Sequence, residues 1–285
     1  MAHSFDSVAI IGVGLLGGSL GLALKQRGLA KRVLGVGRNE SSLETALDLE
    51  AIDAASMDIA SAVQNAELIV LCTPAAAVSA QLDTVREACR TDAVVTDVAS
   101  TKRSICDHAT ATWPRPRRFV GSHPMAGSEK FGAIHSDTDL YDGAIVLVER
   151  GDTVDVGAHK TVIQLWESLG STVVGIEPEK HDQFVARTSH VPHIVASALA
   201  QLTDLGSGMA PFIGKGFRDS TRIAEGRPEI WRDICLTNPH AIDEGLSDLI
   251  RRLEGLRHSL SAGESEELDR FFEQGLHARR EILES

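Results

Sequence analysis

An α/β fold, with a doubly wound parallel sheet in its N-terminal part and an all-helical C-terminal part, is what this sequence predicts. Three observations carry the prediction. The chain opens on a glycine-rich strand–turn–helix, continuous apolar runs then alternate with helical segments as far as residue 175, and no strand-like run appears beyond Glu177.

The apolar run Val8–Ile11 reads as a buried strand, followed by Gly12, Gly14 and Gly17 at dinucleotide-fingerprint spacing and a helical period to Arg27. Gly12 makes the turn, Gly14 leaves room for a pyrophosphate, and Gly17 lets the helix pack on the strand. Leu15 and Leu16 open the helix whose free N–H groups face the phosphates. A purely structural strand–helix corner is the alternative. The second strand, Arg32–Val36, ends in Gly37, Arg38 and Asn39, where an NAD site places a carboxylate on the ribose hydroxyls. No carboxylate stands there, and the planar fork of Arg38 suits a 2′-phosphate. NADP is therefore preferred over NAD; in the other reading Arg38 stacks on adenine and either cofactor is accepted.

A helix is expected at Ser41–Glu50, capped by Ser41 or Ser42. The strand Leu68–Cys72 runs into Thr73 and Pro74, then into a helix over Ala75–Ala88. The strand Val94–Asp97 leads through Ser100 and Lys102 to a helix from Arg103. Ligands on such a sheet bind off the carboxyl ends of the strands, which assigns Thr73, Pro74 and Ser100 to the cofactor site. The basic link Trp113–Arg118 reads as a solvated turn before a strand at Phe119–Gly121. Ser122–Gly132 is too polar and glycine-rich to read as a core element. A strand at Ala144–Val148, a helix at Val156–Ser168 and a strand at Thr172–Gly175 complete a nucleotide domain of residues 1–175, leaving 176–285 as the helical domain.

There, Arg187–His193 reads as a helix start capped by Thr188 or Ser189, with Pro192 in the first turn. Ile194–Leu205 reads as a nearly all-apolar helix, which suits a core or an oligomer interface. Gly216–Arg222 is a loop or helix end, and helices follow at Glu229–Leu236, Ile242–Leu260 and Glu266–Leu283, the last capped by Ser265.

With 28 basic and 40 acidic residues the net charge is −12, which disfavours nucleic acid and anionic membranes. An acidic substrate must then meet a locally basic pocket. The four cysteines form no C-x-x-C pair, which fits reduced thiols in a cytoplasm. No signal pattern and no bilayer-length apolar run is present, so a soluble cytoplasmic protein is expected.

Three histidines and an arginine can carry chemistry. His123 follows a strand of the nucleotide sheet, and imidazole is the usual base near neutral pH for hydride removal from an alcohol carbon. Arg222 can clamp a carboxylate, or pair with Asp219 or Glu225 at the surface. His190 and His193, three apart, can join His123 around a metal, but no acidic residue accompanies them in a ligand motif and no metal is expected. His190 serves equally as a core or capping residue.

The stretches Asp97–Lys102, Ser122–Gly132, Thr188–His193 and Gly216–Ala224 resemble, in order, the signatures of prephenate and arogenate dehydrogenases, across nearly the whole chain. The resemblance implies a Rossmann-type nucleotide domain and an all-α domain that forms a homodimer. It also implies that His123 accepts a hydrogen bond from the ring 4-hydroxyl as hydride leaves C4, and that Ser100 orients His123 beside the nicotinamide. His193 and Arg222 are implied to bind substrate, Arg222 on a carboxylate, with Ser189 and His190 beside them. Lys102 is implied to lie near substrate and Glu129 to gate the pocket. Many NAD-using members carry an aspartate where this chain has Gly37. Hydride loss coupled to release of the ring carboxylate as CO2 yields an aromatic product, so orientation and a weak base suffice. The alternatives are another Rossmann-plus-helical dehydrogenase, for β-hydroxy acids, and a sensor that binds dinucleotide without turnover.

Overall fold

The computed structural model describes residues 4–127, 130–203, 208 and 210–284. Six parallel strands form the main sheet: β1 (Val8–Ile11), β2 (Val33–Val36), β3 (Ala54–Ser56), β4 (Leu68–Leu71), β5 (Val94–Asp97) and β6 (Phe119–Val120), in the order β3-β2-β1-β4-β5-β6. Helices α1 (Leu15–Gln26), α2 (Glu40–Asp48), α3 (Ile59–Val63), α4 (Ala75–Ala88) and α5 (Arg103–Thr112) connect them. Side-chain alternation explains why the strands read as unbroken apolar runs. In β1, Val8 and Ile10 enter one core with Leu20 and Leu24, while Ala9 and Ile11 enter a second with Val78 and Leu82. A sheet covered on both faces needs apolar residues at every position. The short β3 and α3 had no counterpart in the sequence reading; three and five residues, half of them part-exposed, leave little periodic signal.

The strand order reverses between β1 and β4, where Ile11 pairs with Leu71. Gly12 and the segment Cys72–Pro74 therefore leave the sheet side by side, at the point where such folds bind ligands. α2 begins at Glu40, and its cap is Asn39, not Ser41 or Ser42: the Asn39 carboxamide oxygen accepts from Ser41 N–H (2.9 Å) and Ser42 N–H (3.4 Å).

A second sheet combines β7 (Ser122–Pro124), β8 (Ile145–Glu149) and β9 (Thr172–Ile176), with α6 (Val156–Ser168) between the last two. β7 corrects the expectation that Ser122–Gly132 carries no core element. It pairs antiparallel with β8, His123 opposite Leu147, and all three of its residues are buried. Burial is tolerated because its polar groups are satisfied: Ser122 Oγ donates to the Asp97 carbonyl (2.5 Å) and accepts from Trp166 Nε1–H (3.2 Å). The basic link is not wholly solvated either. Arg117 is buried, forks onto the Glu149 carboxylate and donates to the Phe119 carbonyl (2.6 Å).

After β9 the described chain is helical: α7 (Pro178–Val185), α8 (Val191–Gln201), α9 (Lys215–Thr221), α10 (Pro228–Thr237), α11 (Pro239–Ala262) and α12 (Ser265–Glu284). No helix starts at Thr188 or Ser189. α7 runs into α8 through a π-helical turn, Ala186–His190, whose wider winding accommodates Pro192 inside a continuous helix. Ser265 lies inside α12, whose first-turn amide Leu268 N–H donates to the Glu264 carbonyl (3.2 Å). Residues 1–238 cluster as one compact unit and 239–285 as another: α7 contacts α5, α10 contacts α4, and α8 packs with α9. No described helix is long and apolar enough to cross a membrane.

Candidate active site

The carboxyl ends of β1, β4, β5 and β7 open into a cleft of about 1160 Å³ within the first unit. One part is built by the glycine turn. Gly12 adopts φ +98°, and a Cβ there would meet the Cys72 carbonyl oxygen at 2.6 Å. At Gly17 a Cβ would stand 1.9 Å from the Gly12 carbonyl oxygen, so only glycine lets α1 start this close to the turn. Gly14 has nothing within 4 Å of its would-be Cβ, so its backbone faces open space as a pyrophosphate cradle requires. Gly12, Gly14, Leu15, Leu16, Arg38, Thr73 and Pro74 all line the cleft, whereas Gly17 lies buried beneath it. These residues fit a dinucleotide.

The same cleft is lined by Ser100, His123, Ser189, His190, His193 and Arg222. The sequence-predicted cofactor and substrate residues thus meet in one cavity. Among its described lining residues, Arg38, Lys130, Arg222 and Arg227 supply four cations against the two carboxylates of Glu225 and Asp233. On a chain of net charge −12 this is the local basic pocket that an acidic ligand needs.

Two expectations change. Lys102 does not line the cleft. It is 1% exposed, and its ammonium turns inward to the fully buried Asp97 carboxylate. Asp97 also accepts from Ala99 N–H (3.0 Å) and Ser122 N–H (3.1 Å). Burial pushes this carboxyl up, against the lowering pull of Lys102 and of the two backbone donors. A lone ammonium here would be desolvated without compensation, so the pair forms in place of a substrate contact. Ser100 lines the cleft, but no hydrogen bond joins it to His123 among the described residues. The partner of His123 is His181, whose Nε2 lies 2.9 Å from His123 Nδ1, with the rings edge-on at 5.1 Å. Glu129 lies outside the described residues.

Burial holds His123 well below its ordinary 6.5, and the neighbouring His181, Lys102 and His190 add to the shift. The ring is therefore neutral and accepting at neutral pH. His190 is buried and pushed down to about 4 by desolvation, and its Nδ1 lies 3.4 Å from Asn238 Nδ2. His193 stacks face-on with Trp231, ring centres 3.4 Å apart at 11°. Gly226 makes room for that stack, since a Cβ there would meet Trp231 Nε1 at 2.4 Å. Among the described residues no group of three His, Cys, Asp or Glu side chains is placed to hold a metal ion.

The sequence reading did not single out His181, Asp182 or Trp231. His181 Nδ1 lies 2.7 Å from Asp182 Oδ1, and both residues are buried. Their only sequence signal is an adjacent His–Asp pair at the head of the helical region. Trp231 sits nine residues beyond Arg222, in a segment read only as helix.

Residues 20–175 match the family model described as prephenate dehydrogenase, nucleotide-binding domain, and residues 177–274 match prephenate dehydrogenase, dimerization domain. The chain is 32% identical to a prephenate dehydrogenase of Bacillus subtilis over 272 residues, covering 94% of this chain and 73% of that one. A crystal structure of prephenate dehydrogenase from A. aeolicus, in complex with hydroxyphenyl propionate and NAD+, aligns with a TM-score of 0.90 at 30% identity, over 99% of this chain and 100% of that chain. Synechocystis arogenate dehydrogenase aligns with a TM-score of 0.82 at 29% identity, over 97% and 99% of the two chains. The matched segments take in Ser100, His123, His193 and Arg222 of the cleft, and the glycine turn that precedes them fits a dinucleotide. This chain belongs to the prephenate dehydrogenase family.

Proposed function

We propose that the chain oxidatively decarboxylates prephenate, arogenate or both, with NADP preferred over NAD, and that His123 is the acceptor for the ring 4-hydroxyl. The observation that carries this reading is a neutral, buried His123 lining one continuous cleft with the glycine turn and Arg222. When bound, the dinucleotide supplies the nicotinamide carbon that takes hydride from ring C4, while the ring carboxylate departs as CO2. Gly12, Gly14, Leu15 and Leu16 would hold its pyrophosphate, and Thr73, Pro74 and Ser100 its nicotinamide half. His123 accepts the hydrogen bond of the 4-hydroxyl through Nε2 and bears its proton until the ring aromatises to a phenol. Arg222 donates to a substrate carboxylate and fixes the ring. His193, immobilised by Trp231, walls the ring in, with Ser189 and His190 beside it.

Residues 1–175 then bind nucleotide and 176–285 complete the substrate pocket and pair two copies as a homodimer in the cytoplasm. Support for the second copy comes from α12, which buries none of its side chains in the single chain and exposes Phe272, Leu276, Ile282 and Leu283.

Two substitutions test the assignments. Arg222→Gln removes a charge-assisted bond, so substrate KM rises roughly 10–100-fold with kcat little changed. An unaltered KM removes Arg222 from the carboxylate. Gly37→Asp places a carboxylate where it repels a 2′-phosphate and accepts from a 2′-hydroxyl. The NADP:NAD ratio of kcat/KM is expected to fall by about tenfold or more. The new Cβ would meet Leu43 Cγ and Cδ2 at 3.3 Å, so Leu43 must shift by a few tenths of an ångström. An unchanged ratio means that this strand end does not read the 2′ position.

A further inference from the structure

His181 is fully buried and does not itself line the cleft, yet it provides the only described hydrogen bond to the ring of His123, which does. We propose that Asp182 and His181 act as a positioning relay that fixes His123 in its Nδ1–H tautomer, leaving the Nε2 lone pair to face the substrate hydroxyl. The proposal rests on the reading of His123 as the acceptor.

The argument is one of donors and acceptors taken in order from the deepest group. Asp182 Oδ1 accepts from Lys102 N–H at 2.7 Å, and Oδ2 accepts from Arg103 N–H at 3.0 Å. These are free amides at the start of α5, where a helix terminus favours a negative charge. An ionised carboxylate only accepts, so His181 Nδ1, 2.7 Å from Oδ1, must carry a proton. In the neutral ring His181 Nε2 is then the acceptor. His123 Nδ1, 2.9 Å away, must donate to it, and His123 Nε2 is left unprotonated. The opposite tautomer of His123 would set two nitrogen lone pairs against each other across that contact. It would also present a donor to a substrate hydroxyl whose proton has to leave.

The relay is held by backbone as well as by side chains. His181 and Asp182 sit in α7, His181 N–H donates to the Glu177 carbonyl (2.9 Å), and Asn238 Nδ2–H donates to the Asp182 carbonyl (2.9 Å). Asp182 thereby ties α7 to the segment that carries Ser100 and Lys102. When the 4-hydroxyl proton reaches His123 Nε2, the ring becomes an imidazolium close to Lys102 and His190. The Asp182 charge, transmitted through His181, offsets that repulsion, and the proton returns to the product phenol so that no net proton stays on the protein.

The test compares His181→Leu and His181→Gln in the full chain, and assigns the imidazole tautomers of the unaltered protein by 15N NMR. His181→Leu removes the acceptor, and kcat is expected to fall on the order of 10²-fold, with substrate KM and cofactor Kd within about threefold of their starting values. His181→Gln presents an amide oxygen to His123 Nδ1–H and is expected to recover at least about tenfold of that loss. The NMR should show Nδ1–H at both His123 and His181. A His181→Leu variant with kcat within about threefold of the unaltered enzyme overturns the relay, as does equal loss in both variants. Should the leucine variant fail to fold, the tautomers decide, and an Nε2–H signal at His123 overturns the proposal. If the unaltered enzyme turns over neither substrate while both tautomers are Nδ1–H, the functional reading fails and the relay stands as geometry alone.

Discussion

Replacing His123 with asparagine lowers kcat by about 10²–10⁴-fold, the usual contribution of a positioned base, and leaves cofactor binding nearly unchanged. Asparagine is close to imidazole in size and can keep a hydrogen bond to His181 Nε2, so β7 keeps its place beside β8. What it lacks is a basic nitrogen towards the cleft. Cofactor affinity is spared because the glycine turn and Arg38 are carried by β1, α1 and β2, away from β7. The unaltered enzyme adds a pH signature. Burial, with His181, Lys102 and His190 nearby, holds His123 well below 6.5. The ring is active when neutral, so kcat/KM stays level as pH falls through 6.5 and is lost only further into acid. Steady-state kinetics across pH checks both statements. Near-normal turnover of His123→Asn, or an acid limb centred at or above 6.5, contradicts the role.

Lys102→Met is expected to cost about 3–5 kcal/mol of stability, because it leaves a fully buried Asp97 carboxylate without its counter-ion. The two backbone N–H groups on Asp97 remain, and they cannot replace a full charge. The penalty has a defined pH dependence. With Lys102 gone, the folded-state pKa of Asp97 lies above its unfolded value, so the carboxyl group protonates readily in the folded state. Stability is then best in acid and falls as pH rises towards that folded-state value. Denaturant titrations at acid and neutral pH measure it, and Asp97→Asn added to Lys102→Met should restore most of the loss. Substrate KM of the folded enzyme should stay close to its starting value. A stable variant with a raised KM would return Lys102 to the substrate pocket.

Much of the fold was legible because its signals are local. β1, the glycine turn and α1 follow one another within a single stretch, and α4, β5 and α6 begin and end where the sequence pattern puts them. β7 was not legible because its polar residues find their partners at a distance. Ser122 bonds to Asp97 and Trp166, which lie 25 and 44 residues away. Pro192 suggested a helix start, since a proline normally sits in the first turn; a π-helical turn, which no sequence period announces, removes that constraint.

The site divides along the same line. The residues that line the cleft follow from strand ends and motifs, and His123, His193, Arg222 and the glycines all arrive there. The groups that orient them do not, because orientation is a matter of direction as well as of place. Lys102 stands at the right strand end and turns inward. His181, which sets the hydrogen-bonding state of His123, lies 58 residues away from it in sequence. Sequence spacing carries no record of such a contact.

Central to this account is that one cleft couples oxidation at ring C4 to loss of the ring carboxylate. The stoichiometry of CO2 to reduced nicotinamide, measured during turnover of prephenate and of arogenate with NADP and with NAD, tests that coupling directly. The account predicts one CO2 for each reduced nicotinamide with at least one substrate, and faster turnover with NADP. Reduced nicotinamide formed without CO2, as a β-hydroxy-acid type of oxidation would give, or no reduction with any of the four pairs, would contradict it.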